Sequence, residues 1–176
     1  MYDNTTGSSL VALGYQALAN NTTGNSNTAL GFLSLGATTT GPQNTAVGWA
    51  SLYSNTTGSN NVALGYGGLF LNVTGGNNTA VGFESLRNSV ASNNTAVGYQ
   101  ALYDNTTGTQ NVALGYGALE DNTTANQNTA VGMYGLRRTT TGVNNTAMGY
   151  ASLFTNITGV ANVALGHNAL YSNTAS

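Results

Sequence analysis

The amino-acid sequence predicts an all-β fold, a parallel β-solenoid or β-roll of about ten coils. A stretch of seventeen residues recurs from one end of the 176-residue chain to the other. Each copy combines Gly with several Asn and Thr, which are all weaker helix formers than Ala. A single copy is too short to bury an apolar face, so neighbouring copies must stack on one another.

Ten copies of the repeat form a single array over residues 1–176, with residues 1–9 as the end of an upstream copy. The spacing is seventeen residues except between Asn78 and Asn94, where it is sixteen. No polar segment that would cap a terminal coil is recognisable, so we expect uncapped ends. Positions are counted below from the first residue of each copy. The copies begin at Leu10, Asn27, Asn44, Asn61, Asn78, Asn94, Asn111, Asn128, Asn145 and Asn162.

The first half of each copy predicts a short strand at positions two to five. Position three is always Ala and position five is always Gly, while positions two and four are Thr, Val, Leu or Met. Such β-branched and apolar residues favour a strand. The second half often ends in Asn-Thr-Thr-Gly, as at 55–58 and 105–108. We expect its Gly to take a positive φ at a corner.

Position nine is predicted to form the core, because it is Leu in every copy. Stacked coils place identical residues above one another at a spacing of ~4.8 Å, so ten coils would be roughly 50 Å long. The recurring Asn at position one predicts an amide ladder at a turn. The predicted core column consists of Leu18, Leu35, Leu52, Leu69, Leu86, Leu102, Leu119, Leu136, Leu153 and Leu170.

A second period of three copies overlies the first. Position two is Val in copies one, four, seven and ten, and position twelve is not Asn in copies two, five and eight. One interpretation is the duplication of a three-coil segment. The other is that three consecutive segments occupy three faces around one axis. The residues concerned are Val11, Val62, Val112 and Val163 at position two, and Thr38, Ser89 and Thr139 at position twelve.

The segment Asn-Thr-Ala-Val-Gly-Tyr-Gln-Ala-Leu at 94–102, with a variant at 44–52, resembles the Ala-Val-Gly repeats in the heads of trimeric autotransporter adhesins. Those heads are left-handed parallel β-rolls wound side by side as trimers, and their repeat is usually shorter than this one. The segment is also similar to repeats of bacterial and phage tail-fibre-like proteins. The resemblance covers essentially the whole chain, and it implies trimerisation and adhesion.

Composition argues against several classes of function. Three Arg against five acidic residues form no basic stripe for nucleic acid. No apolar run is long enough for membrane insertion. Without Cys, and with His167 as the one His, the sequence contains no metal-ligand cluster and no plausible catalytic triad. We therefore expect no enzyme, no cofactor and no metal site. Glu120 and Asp121 are interpreted as solvated turn residues with at most weak affinity for Ca²⁺.

Asn-x-Thr sequons recur through the array, and the adjacent Asn and Thr columns are enough to create them. If the protein is exported, they are possible N-glycosylation sites. Further sequons begin at Asn20, Asn77, Asn93 and Asn144. The principal candidates are Asn4, Asn21, Asn55, Asn72, Asn105, Asn122 and Asn156.

The leading functional hypothesis is a structural and adhesive fibre segment of a cell-surface appendage or virion, outside the cell. Since the strand is apolar on both faces, side-by-side association into a homotrimer is expected, with end-to-end stacking. A single chain winding round a three-fold axis is the competing arrangement. The alternative function is an ice- or glycan-binding solenoid that uses aromatic columns at positions six and ten and Thr rows. The Thr residues considered are Thr56, Thr106, Thr123 and Thr140.

Overall fold

The computed structural model describes residues 2–174 and shows a parallel β-solenoid with one coil per repeat. Ten strands of three residues each form one sheet in sequence order, and no helix occurs in the described part of the chain. The all-β prediction is confirmed. The strands are β1 Val11–Leu13, β2 Thr28–Leu30, β3 Thr45–Val47, β4 Val62–Leu64, β5 Thr79–Val81, β6 Thr95–Val97, β7 Val112–Leu114, β8 Thr129–Val131, β9 Thr146–Met148 and β10 Val163–Leu165.

Each strand pairs with the strand of the next copy, in a register that aligns equal positions. Ala12 lies opposite Ala29, and Ala96 lies opposite Ala113. One copy therefore completes one turn of the solenoid. The hypothesis that three consecutive segments occupy three faces around one axis is wrong, because strands of consecutive copies are direct neighbours in a single sheet.

The strands end at position four because the Gly at position five leaves the strand conformation. Gly98 has a φ of 139°, and a Cβ atom on it would lie 2.6 Å from the carbonyl carbon of Gly115 in the next coil. Real Cβ atoms do not approach another atom so closely, and L-residues rarely adopt such a φ. The Gly column thus allows adjacent coils to approach at the end of each strand.

The prediction of a positive φ for the Gly of Asn-Thr-Thr-Gly is wrong. Gly24, Gly58 and Gly108 do not have a positive φ. The Gly at position five of every coil does. A small residue is needed at position fifteen for a steric reason. A Cβ on Gly24 would lie 2.6 Å from Asn21 Oδ1 and 2.8 Å from the Gly41 carbonyl oxygen.

The core consists of two columns that face each other across the thin coil. The Ala at position three and the Leu at position nine are fully buried through the middle of the array, as at Ala96 and Leu102. Nine of the ten Leu residues predicted as core have no exposed surface. Leu170 is the exception, at 49% exposure, because no further described coil packs over it.

The backbone at the buried Leu was not anticipated. Leu102 has a φ of 53°, and every other Leu of the column also lies in the left-handed region. Positions seven and seventeen share this conformation, for example Gln100 at 50° and Gln110 at 59°. A left-handed conformation at a non-Gly residue costs of order 1–3 kcal/mol, so the bonds and packing between coils must offset this strain two or three times per turn.

The Asn at position one forms a buried ladder along the axis, as predicted. Asn61 donates from its backbone N–H to Asn44 Oδ1 at 3.0 Å and from its Nδ2 at 3.1 Å. The same Nδ2 donates to the carbonyl oxygen of Gly75 at 2.8 Å. Since Asn61 is completely buried, each amide both ties successive coils together and satisfies an internal carbonyl group.

The side chains at position twelve form a second internal column. Its hydrogen bonds repeat every three coils, in step with the three-copy period of the sequence. Asn72 donates to Asn55 Oδ1 at 3.0 Å and Asn122 donates to Asn105 Oδ1. In the coil after each such pair, position twelve is Thr or Ser, and its side chain does not donate a hydrogen bond to the Oδ1 atom of the preceding Asn. The buried oxygens that lack a partner among the described residues are Oδ1 of Asn21, Asn72 and Asn122, and Oγ1 of Thr38.

The sixteen-residue copy lacks position fourteen. Val90 bonds to Thr106 of the next coil through its N–H, as a residue at position thirteen does. Ala91 then accepts a bond of 2.8 Å from Asn78 Nδ2, in the way that Gly75 accepts from Asn61. The deletion is therefore absorbed in the exposed turn, and both internal columns stay in register.

Candidate functional site

The outward side of the sheet presents a continuous apolar surface made of positions two, four and six, which we call the apolar face. In the seventh coil Val112 is half-buried, Leu114 is 37% exposed and Tyr116 is 44% exposed. The same three positions are apolar, or Thr at position two, in every coil except at His167. The period of two along the strand explains why these side chains point outward while Ala at position three points inward.

Position six forms a ladder of stacked rings along this face. Neighbouring centroids are 4.5–6.3 Å apart and neighbouring planes are within 15° of parallel. Stacking covers both faces of each internal ring, so the ring edges are what solvent meets. Met133 ends the run, and His167 stacks on Tyr150 at 5.0 Å near the end of the array. The continuous ladder comprises Tyr15, Phe32, Trp49, Tyr66, Phe83, Tyr99 and Tyr116.

All eight charged side chains lie outside the apolar face, at positions seven, ten and eleven. Arg137 donates from Nε to Glu120 Oε2 at 2.8 Å, and Arg87 forms an ion pair with Glu84 at a distance of 3.1 Å between Nε and Oε1. Desolvation by burial, reinforced by Glu120, raises the pKa of Asp121 above its ordinary value. The charged residues are Asp3, Glu84, Arg87, Asp104, Glu120, Asp121, Arg137 and Arg138.

A cleft of about 200 Å³ interrupts the surface near the first coils. It lies where position ten, which elsewhere holds a long side chain, is occupied by Ala19 and Gly36. Tyr2 and Tyr53, at the same position of the flanking coils, close its two ends. From Tyr53 onward the column is filled, beginning with the Phe70 ring at a centroid distance of 5.4 Å. Aligning the repeats at position ten reveals this interruption, although our sequence interpretation did not use it.

No family model, curated protein or solved structure matches the chain. Between residues 2 and 174 there is no helix that could cross a membrane. Within the same residues, no three His, Cys, Asp or Glu side chains are grouped so that they could hold a metal ion. The Glu120 carboxylate is engaged by Arg137, and the carboxylate next to Asp121 in the preceding coil is that of Asp104.

Six of the seven principal candidates for N-glycosylation lie in the interior of the folded coil. Their side chains have no exposed surface, and in Asn55, for example, Nδ2 donates to the Gly58 carbonyl oxygen at 3.0 Å. A glycan would be attached to this same nitrogen, so it has no room in the folded coil. Asn4 is exposed, and so are the sequons at Asn20, Asn77, Asn93 and Asn144. The buried six are Asn21, Asn55, Asn72, Asn105, Asn122 and Asn156.

The Thr row considered for ice or glycan binding uses its hydroxyl groups within the fold. Thr106 Oγ1 donates to the Thr123 carbonyl oxygen at 2.9 Å, and Thr123 donates to Thr140 at 3.1 Å. The exposed Thr row is the next position, fourteen. It includes Thr40, Thr57, Thr74, Thr107, Thr124, Thr141 and Thr158.

Proposed function

We propose that this chain is a structural and adhesive segment of an extracellular fibre, belonging to a cell-surface appendage or a virion, and that it associates with itself. The observation that carries the proposal is the uncharged apolar face. It extends over every coil, about 50 Å at the coil spacing. Such a surface is larger than monomeric soluble proteins usually expose.

The size of the apolar face fits an interface between copies of the chain. Three outward positions of an extended strand and its following bend span roughly 15 Å, so the face covers on the order of 800 Å². That is the area each partner contributes to a stable protein interface. Because the charged residues lie at other positions, two apolar faces can meet without burying an unpaired charge.

A side-by-side homotrimer is the assembly we favour, since the resemblance to adhesin heads implies it. Stacking along the axis is also supported by the backbone. Within the array each coil bonds to both neighbours, as Gly48 does to Leu30 and Thr45 does to Asn61. The outer edges of β1 and β10 present the same groups, so they suit pairing with a coil of a neighbouring segment.

Electron microscopy of the purified chain tests this function. The expected particles are uniform rods, wider than one solenoid and in part joined end to end. The variant Leu114→Lys places a charge on the apolar face and should separate the rods into thin single solenoids. Thr124→Lys places the same charge at an exposed position of the same coil and should leave the rods intact. Thin, single particles of the unmodified chain would contradict the proposal.

The alternative of an ice-binding solenoid retains one favourable observation, the exposed Thr row at position fourteen. Its even spacing by coils makes a regular hydroxyl array that, among residues 2–174, is broken only in the sixteen-residue copy. Thermal hysteresis of the folded chain tests this alternative. Freezing-point depression that disappears in a Thr124→Lys variant would favour it over the fibre.

A further inference from the structure

The cleft at position ten differs from the rest of that column because no side chain from the preceding coil stacks on the Tyr53 ring. Phe70 covers one side of Tyr53, with the planes inclined at 21°. The other side faces Gly36, where a Cβ atom would lie only 3.3 Å from the Cδ2 and Cε2 atoms of the ring. Gly36 has no side chain to cover this face of the half-buried Tyr53 ring, whereas each internal ring of the position-six ladder is covered on both faces by its neighbours.

The cleft is two coils long, because position ten carries no large side chain in two successive coils, at Ala19 and Gly36. Tyr2 and Tyr53 are three coils apart, which is about 14 Å at the coil spacing, and each remains at position ten. Tyr2 is held at the far end by bonding its N–H to the Ala19 carbonyl oxygen at 3.1 Å. The volume of about 200 Å³ is below the range of pockets for drug-sized ligands, so it suits a single ring.

The walls of the cleft supply free polar groups. Gln16 and Asn20 line it, and neither side-chain amide bonds to any described residue of the protein. Each amide offers two donors and an acceptor. No Arg lines the cleft, and the nearest charge along the chain is that of Asp3, which would repel an anion.

We propose that this cleft binds one neutral pyranose ring, stacked on Tyr53 and hydrogen-bonded through its hydroxyl groups to Gln16 and Asn20. The π-face of Tyr carries negative charge density, so it attracts the C–H groups on the flat side of a sugar ring. A purely aromatic guest would leave the two amides unsatisfied, which favours the sugar. The inference rests on the proposed adhesive function, because it names the class of ligand.

Saturation-transfer difference NMR tests the proposal, since it works equally well with a monomer and with a large assembly. The probes are methyl glycosides of glucose, galactose and N-acetylglucosamine, each at about 20 mM, because a single ring is expected to bind with a Kd near 1 mM. At least one sugar should receive saturation, strongest at the protons of one ring face. N-acetyltyrosinamide serves as the probe for an aromatic peptide ligand.

Two variants remove the site by different routes. Tyr53→Ala deletes the stacking face, and Ala19→Tyr fills the cleft with a side chain found at this position in other coils. Each should reduce the saturation signal at least five-fold, while Tyr103→Ala, at the same position in a filled part of the column, should retain it. Circular dichroism on the same samples reports folding, and light scattering reports assembly. A failure of the fibre proposal can therefore be told apart from a failure of sugar binding.

The proposal is overturned if none of the three sugars receives saturation from the unmodified chain. It is also overturned if the signal survives in Ala19→Tyr, or if only N-acetyltyrosinamide binds. Should Tyr53→Ala fail to fold, Ala19→Tyr alone decides.

Discussion

The side-chain oxygen of Asn94 accepts two hydrogen bonds from Asn111 of the next coil, one from the backbone N–H at 3.0 Å and one from Nδ2 at 3.3 Å. Asn111 Nδ2 also donates to the Ala125 carbonyl oxygen, and its Oδ1 accepts from Asn128. One buried side chain therefore connects three successive coils. The amide ladder is as much a part of the core as the Leu column.

Replacing Asn111 with Ala should destabilise the array by about 2–5 kcal/mol, because the change leaves buried backbone groups of two coils without partners. The adjacent Gln110, exposed at position seventeen, provides the control. Gln110→Ala should change stability by less than about 0.5 kcal/mol. Urea unfolding followed by circular dichroism measures both. Similar midpoints for the two variants would show that the ladder does not hold the coils together.

Replacing Thr38 with Asn should stabilise the protein by roughly 1 kcal/mol, since an added amide could donate to the unpartnered Asn21 Oδ1. Thr139→Asn should gain less, because Thr139 Oγ1 already donates to the Asn156 carbonyl oxygen. Thermal unfolding of both variants provides the comparison. A loss of stability in Thr38→Asn would mean that the column has no room for an amide between Asn21 and Asn55.

Asp121→Asn should raise stability at neutral pH and leave it unchanged in acid. Burial raises the pKa of Asp121 above its ordinary value of 3.8, so the folded state binds the proton more tightly than the unfolded state. The native chain therefore loses stability as pH rises from below 3.8 through the raised value. As pH rises from 3 to 7, the urea midpoint of Asp121→Asn should exceed that of the native chain by an increasing amount. Parallel curves would contradict this assignment.

Leu102→Asp should disrupt the fold far more than Gln100→Asp. Leu102 is completely buried, and an unpaired carboxylate there costs several kcal/mol. Gln100 is half-buried and donates to Glu84 Oε2 at 3.1 Å. Its replacement by Asp therefore carries a modest cost from two adjacent carboxylates. Equal unfolding midpoints would mean that the Leu column is not the core.

The coil, its register and its core follow from the sequence because every coil must repeat the same environment. Ala at position three and Leu at position nine are constant for this reason, and burial of both columns confirms it. The left-handed backbone at Leu102 could not be predicted, since Leu has no intrinsic preference for positive φ. Bonds to the neighbouring coils impose that conformation, and they are not visible in one copy.

The surfaces were predictable only in part. Alternation along the strand gave the apolar face, but the two Asn columns look alike in sequence and both proved internal. That is why buried residues such as Asn55 were considered glycosylation sites. The cleft exists because Ala19 and Gly36 are small while the flanking coils have Tyr at the same position. A single copy of the repeat does not show this difference.

Light scattering of the intact chain at micromolar concentration tests the central claim, that the apolar face is an interface between copies. The account predicts a mass that is a multiple of 17.9 kDa, three-fold for the trimer. Leu114→Lys should lower this mass, and Thr124→Lys should not. A folded, monodisperse monomer of 17.9 kDa would contradict the account.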